Sequence, residues 1–202
     1  MTDTLANNFD YKWNMLFPNK LPIPYLFKHY FTKNWIRLHS LPNSKRYADC
    51  AFEIDLLINR QNQIISDCFP QGTTLFIVSG STFIGDSSIA NYDQVSKLSY
   101  NFISGSRINL HEVDPEHFDD DENNDLYFTP MFTEVVWEQN SHDDLLLKIA
   151  NDETRAFLIS FEKKIIVAPY DGGLDIIIDD FTLKSQMKQK YHEMLSARDD
   201  QL

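Results

Sequence analysis

Residues 163–178, KKIIVAPYDGGLDIII, constrain the fold of this chain more than any other stretch. Two apolar runs too short for helices flank Asp171, Gly172 and Gly173, and such residues at the corner of two β-rich segments specify an antiparallel hairpin. The glycines are expected to supply the positive φ of a tight turn, and Asp171 to close an Asx-type turn with its own side chain. Asp175 should lie on the less apolar side of the second strand or pair across the hairpin. On this reading Gly173→Val is costly, whereas Asp171→Asn and Asp175→Asn leave the fold largely intact. A third strand, RAFLISFE, precedes the pair and extends it into a sheet.

The rest of the chain supplies an α+β order. LANNFDYKWNMLF repeats Leu5, Phe9, Trp13 and Leu16 at steps of four and three, an amphipathic helix ended by Pro18. PNKLPIPYLF, with prolines at 18, 22 and 24, is an extended connector. WIRLHS alternates Trp35, Arg37 and His39 against Ile36 and Leu38, as a strand does. In RYADCAFEIDLLINRQNQIISDCF the residues Ala51, Ile54, Leu57, Ile58, Ile65 and Cys68 recur at helical spacing, predicting a long helix with Ser44 as its N-cap.

TTLFIVSG reads as a central strand, NYDQVSKLSYNFI as a helix, RINLHEV as a short extended piece and MFTEVVWEQ as a strand. SHDDLLLKIANDE predicts a helix capped by Ser141. The C-terminal DDFTLKSQMKQKYHEML is a helix capped by Asp179 or Asp180, with a stripe of Leu183, Met187, Tyr191 and Met194. No repeat or linker interrupts the 202 residues, and 43% are hydrophobic, enough for a substantial core. The expected fold class is therefore α+β, a single domain over 1–202, with a mainly antiparallel sheet packed by a long central helix and by N- and C-terminal helices.

Charge is the unusual feature. The net charge is −12, and residues 112–153 hold fourteen acidic residues against Lys148 alone, a net −13. The densest part, EVDPEHFDDDENNDLY, places Glu112, Asp114, Glu116, Asp119, Asp120, Asp121, Glu122 and Asp125 within fourteen residues. Mutual repulsion makes this an exposed loop or insertion around 112–126. A calcium loop fails on spacing, because from Asp119 or Asp121 the sixth position is not glycine and the twelfth is Pro130 or Phe132. No metal site and no cofactor are expected.

Other chemical motifs fall short in the same way. GSTFIGDS, from Gly80 to Ser87, has the glycine spacing of a phosphate-binding loop but places Asp86 where the lysine belongs, which reverses the sign of the interaction. Ser79 and Ser81 do not form a nucleophile elbow. Cys50 and Cys68 on one helix lie about 27 Å apart, beyond the ~7 Å a disulfide tolerates, and read as small core residues. No segment approaches the ~18 consecutive apolar residues of a membrane span, and the start lacks a signal-peptide order, so a cytoplasmic protein is expected.

FPNKLPIPYLF followed by WIRLHS, KRYADCAFEIDLLINRQNQIISDCF leading into TLFIVSG, and APYDGGLDIII with its helix together resemble the bacterial domain-of-unknown-function family 3885. That family carries a proline-flanked aromatic segment, an R-F-E type strand, a long helix and a C-terminal YD-x-G-x-D hairpin. Here Arg37-Leu38-His39 replaces the common R-F-E, and Gly172 stands where many members have arginine. The resemblance implies the fold and a bacterial cytoplasm, and no activity.

Two functional classes fit these residues. One is a non-catalytic immunity protein that neutralises a cognate basic toxin through the eight carboxylates from Glu112 to Asp125, the concentrated charge steering association. The other is a small hydrolase or ligand-binding enzyme using Asp171 and Asp175 near the hairpin. Direct nucleic-acid binding is disfavoured, because phosphate would meet a surface of its own sign.

Overall fold

The computed structural model describes residues 2–85, 98–118, 125–196 and 198, with side chains from residue 9 onward. The strands are β1 (Trp35–His39), β2 (Thr74–Ile84), β3 (Ile103–Ser104), β4 (Ile108–Asn109), β5 (Leu126–Val136), β6 (Phe157–Ser160), β7 (Ile165–Tyr170) and β8 (Gly173–Ile178). Among the described residues they form one antiparallel sheet in the order β1-β8-β7-β6-β2-β5-β3, with β4 also paired to β5. The helices are α1 (Thr2–Leu16), α2 (Phe27–Tyr30), α3 (Ala51–Cys68), α4 (Leu110–Val113), α5 (Pro115–Phe118), α6 (Asp143–Ala150) and α7 (Phe181–Lys190).

Because successive strand residues point to opposite faces, the apolar residues divide between two layers. On one face Ile36, Leu38, Ile77, Leu158, Val167, Leu174 and Ile176 meet Ile64, Ile65 and Cys68 of α3, Leu145, Leu146 and Ile149 of α6, and Met187 of α7. On the other, Phe76, Val78, Phe132, Phe157, Ile159, Ile166 and Ile177 meet Phe9 and Trp13 of α1 and Phe27 of α2. The rings of Phe9 and Phe132 stack with centroids 4.5 Å apart. Helices on both faces explain why β6 and β8 are buried at every position, including the polar Ser160 and Asp175. The structure is thus an α+β domain whose antiparallel sheet is packed by the long central helix and by N- and C-terminal helices, as the patterning predicts.

The departures are local. α3 is capped by the extended backbone of Cys50 without a side-chain bond, and Ser44 instead ends a separate 3₁₀ turn at Pro42–Ser44. Cys50 is exposed and only Cys68 is buried. α6 begins after His142, not Ser141, and its first turn is tied down by Asn62, whose Nδ2 donates to Asp143 Oδ1 at 2.6 Å. The helix predicted over NYDQVSKLSYNFI falls partly outside the described residues, and its described end forms bends leading into β3. RINLHEV is extended only at Ile108–Asn109 and then turns into α4, where the Asn109 side chain accepts from the Glu112 amide. Gly80 to Ile84 continue β2 rather than forming a phosphate loop, while Asp86 and Ser87 lie outside the described residues. Asp180 caps α7 by accepting from the amides of Thr182 and Leu183. No helix among the described residues is long and apolar enough to cross a membrane.

Candidate functional site

On the α1/α2 face the apolar pattern breaks near one end of the sheet. There the register sets Arg37 of β1 opposite Asp175 of β8, which in turn sits opposite Ala168 of β7, with Tyr170 two residues further on. Neighbouring large residues give way to Ala168 and Gly80, and a cleft of about 640 Å³ opens over this floor. That volume is the size of a small-molecule site. The far wall is apolar, built from Ile23, Tyr25, Leu110, Phe118, Leu126 and Phe128, and Asp152, Glu153 and Arg155 line the rim.

The charged groups of the cleft are locked to one another. Arg37 donates from Nε and Nη2 to the two carboxylate oxygens of Asp175, both at 2.7 Å. The Asp175 side chain is 7% exposed and that of Arg37 17%. Arg37 also lies over the rings of Tyr170, 4.6 Å from its centroid, and Trp35, 5.3 Å. Burial alone would lower the Arg37 pKa, but the hydrogen bond and the charge of Asp175, with smaller contributions from Tyr170 and Asp171, together outweigh it and raise the pKa. Beside this pair, Asp171 accepts from Arg46 Nε and from the Tyr47 hydroxyl at 2.9 Å. Burial pushes the Tyr170 phenol up and lowers the neighbouring His39.

This geometry revises the reading of the hairpin. Asp171 and Gly172 do form the turn between β7 and β8, and Asp175 lies on β8 as expected, opposite Ala168, but Gly173 belongs to β8 rather than to the turn. Neither Gly172 nor Gly173 has a positive φ. Gly173 is required by close approach instead: a Cβ there would lie 1.9 Å from the Leu38 carbonyl oxygen of β1. Both aspartates are buried and ion-paired to arginines from outside the hairpin, so neither is a free turn carboxylate.

The acidic segment divides. Glu112 and Glu116 are exposed on α4 and α5, and Asp125 is exposed just before β5. Asp119, Asp120, Asp121 and Glu122 lie outside the described residues. Asp114 is not a surface group. It is 7% exposed, accepts from the Tyr30 hydroxyl, and sits 2.9 Å from His117 Nδ1. Burial would raise the Asp114 pKa, but the hydrogen bonds from Tyr30 and His117 hold it below the usual carboxylate range. Around it α4 and α5 form helical turns rather than a plain loop, and their Leu110 and Phe118 contribute to the cleft wall.

Sequence patterning missed Arg37, Arg46, Tyr47, Tyr170 and Arg155. One signal was present: β1 and β8 each carry a single charge of opposite sign at the centre of an apolar run, the mark of a cross-strand ion pair. Among the described residues no three His, Cys, Asp or Glu side chains are grouped to hold a metal.

No curated protein and no solved structure matches this chain. A family model described as Domain of unknown function (DUF3885) matches residues 23–199, which include β1, β8 and the described walls of the cleft from Ile23 onward. The chain belongs to the DUF3885 family.

Proposed function

We propose that this protein is a non-catalytic interaction protein, and most concretely an immunity protein that captures and neutralises a basic bacterial toxin domain. The observation carrying this reading is the confinement of net −13 to residues 112–153. Eight of the ten described acidic residues in that stretch are exposed, the exceptions being Asp114 and Asp143. Exposed negative charge of this size raises the encounter rate with a cationic partner and repels nucleic acid. A cytoplasmic setting goes with the reading.

The test uses a partner recovered by affinity purification of the tagged protein. Association is timed at two salt concentrations for wild type and for a variant with Asp119, Asp120, Asp121, Glu122 and Asp125 changed to Asn or Gln. The variant should associate on the order of tenfold more slowly at low salt, with the gap closing as salt rises. Equal on-rates at low salt sink the reading.

A second reading, a ligand-binding protein or hydrolase using Asp171 and Asp175, draws on the cleft. Its hydrolytic form has less support, because both carboxylates are engaged by arginine and neither is placed as a free general base.

A further inference from the structure

We propose that the cleft over β7 and β8 binds a small ligand carrying one carboxylate on an apolar body, with Arg37 as its anchor. This site is separate from the acidic docking surface. A guanidinium has five N–H groups. Arg37 uses Nε and Nη2 on Asp175, and among the described residues it makes no other hydrogen bond. Its remaining donors belong to a side chain that lines the cleft and is held in place by the Asp175 fork and the Tyr170 and Trp35 rings. A donor group fixed in advance loses little freedom on binding.

The composition of the lining agrees. Three of the chain's six arginines, Arg37, Arg46 and Arg155, line this cleft, and none of its twelve lysines does. Arginine in place of lysine suits a planar, two-oxygen acceptor, which its fork matches in geometry. The opposite wall of Ile23, Leu110, Phe118, Leu126 and Phe128 offers apolar surface to the rest of the ligand. Charge sets the limit. Asp152, Glu153, Asp171 and Asp175 line the same space, so each further negative charge is repelled and a single carboxylate is favoured over a phosphate. A cationic ligand, in turn, finds Asp175 and Asp171 already held by guanidinium groups.

Titration of the isotope-labelled protein with benzoate, benzamidinium and inorganic phosphate, followed by amide chemical shifts, tests this. Benzoate should give saturable shifts around residues 37, 46, 152–155 and 170–175, and the other two should not. Arg37→Lys keeps a charge on Asp175 but loses the fork, and should weaken benzoate about tenfold, the effect of one hydrogen bond between charged groups. Should that variant fail to fold, Arg46→Gln with Arg155→Gln should weaken benzoate to a similar degree. Saturable benzoate shifts at the cleft together with loss in the variant that folds support the proposal. The absence of benzoate shifts, shifts mapping elsewhere, an equal or stronger response to benzamidinium or phosphate, or undiminished binding in the variant overturns it.

Discussion

Gly173→Ala tests how β1 and β8 fit together. The added methyl would sit 1.9 Å from the Leu38 carbonyl oxygen, 2.9 Å from its carbon and 3.0 Å from His39 Cα. Carbon–oxygen contacts settle at roughly 3.3 Å, so β1 must retreat by about 1.4 Å. That retreat breaks the bond from the Ser40 amide to the Gly172 carbonyl, now 3.0 Å, and loosens the Leu38–Leu174 pairing and the Arg37–Asp175 fork. Two weakened backbone bonds at about 1 kcal/mol each and overpacking of about 2 kcal/mol exceed the ~0.7 kcal/mol gained by restricting the unfolded chain. The net loss is about 3 kcal/mol, or roughly 9 °C in Tm for a chain of this size. Urea and thermal denaturation measure it. Gly172→Ala is the control, since its Cβ would meet only the Tyr170 ring, 2.8 Å away, and should cost about 1 kcal/mol. Equal effects at the two glycines, or a Gly173→Ala change below about 0.5 kcal/mol, refute close approach as the reason for glycine.

Three further outcomes are expected. Asp175→Asn leaves a buried guanidinium without its countercharge and should destabilise by about 3 kcal/mol in urea unfolding, whereas Arg37→Met combined with Asp175→Leu should cost less. Asp114, held below the usual carboxylate pKa, contributes stability that is present above about pH 4 and fades as pH falls through its folded value. The acid limb of a stability–pH curve should therefore be shallower in Asp114→Asn. Thiol titration of the native protein should count one fast-reacting cysteine, the exposed Cys50. Cys68, buried and with its pKa raised by desolvation, should react only on unfolding.

The fold was legible wherever apolar period was strong. α3 covers the apolar spacing from Ala51 to Cys68, though it starts well after the expected Ser44 cap, and Met187, Tyr191 and Met194 do form the buried stripe of the C-terminal helix region. What patterning could not supply were contacts between distant segments. The sequence shows Asp171 at a turn and Asp175 on a strand but not their ion pairs, because the partners Arg46 and Arg37 lie 125 and 138 residues away. Gly173 looks like a turn glycine because the strand that crowds it lies elsewhere in the chain. Asp114 is indistinguishable from its acidic neighbours until Tyr30 is brought against it. The sequence places Cys50 on the helix and in the core, but it precedes the first helical residue and is exposed.

β5 is eleven residues long, yet at its outer side it meets only β3 and β4, two residues each, while β1 at the opposite margin is five residues long and bridged by Leu195. Among the described residues, then, neither border offers a long row of open amides and carbonyls onto which a foreign strand could zip. Recruitment by strand addition, and the runaway stacking that follows from it, is discouraged at both ends. Encounters along these borders are left to side chains.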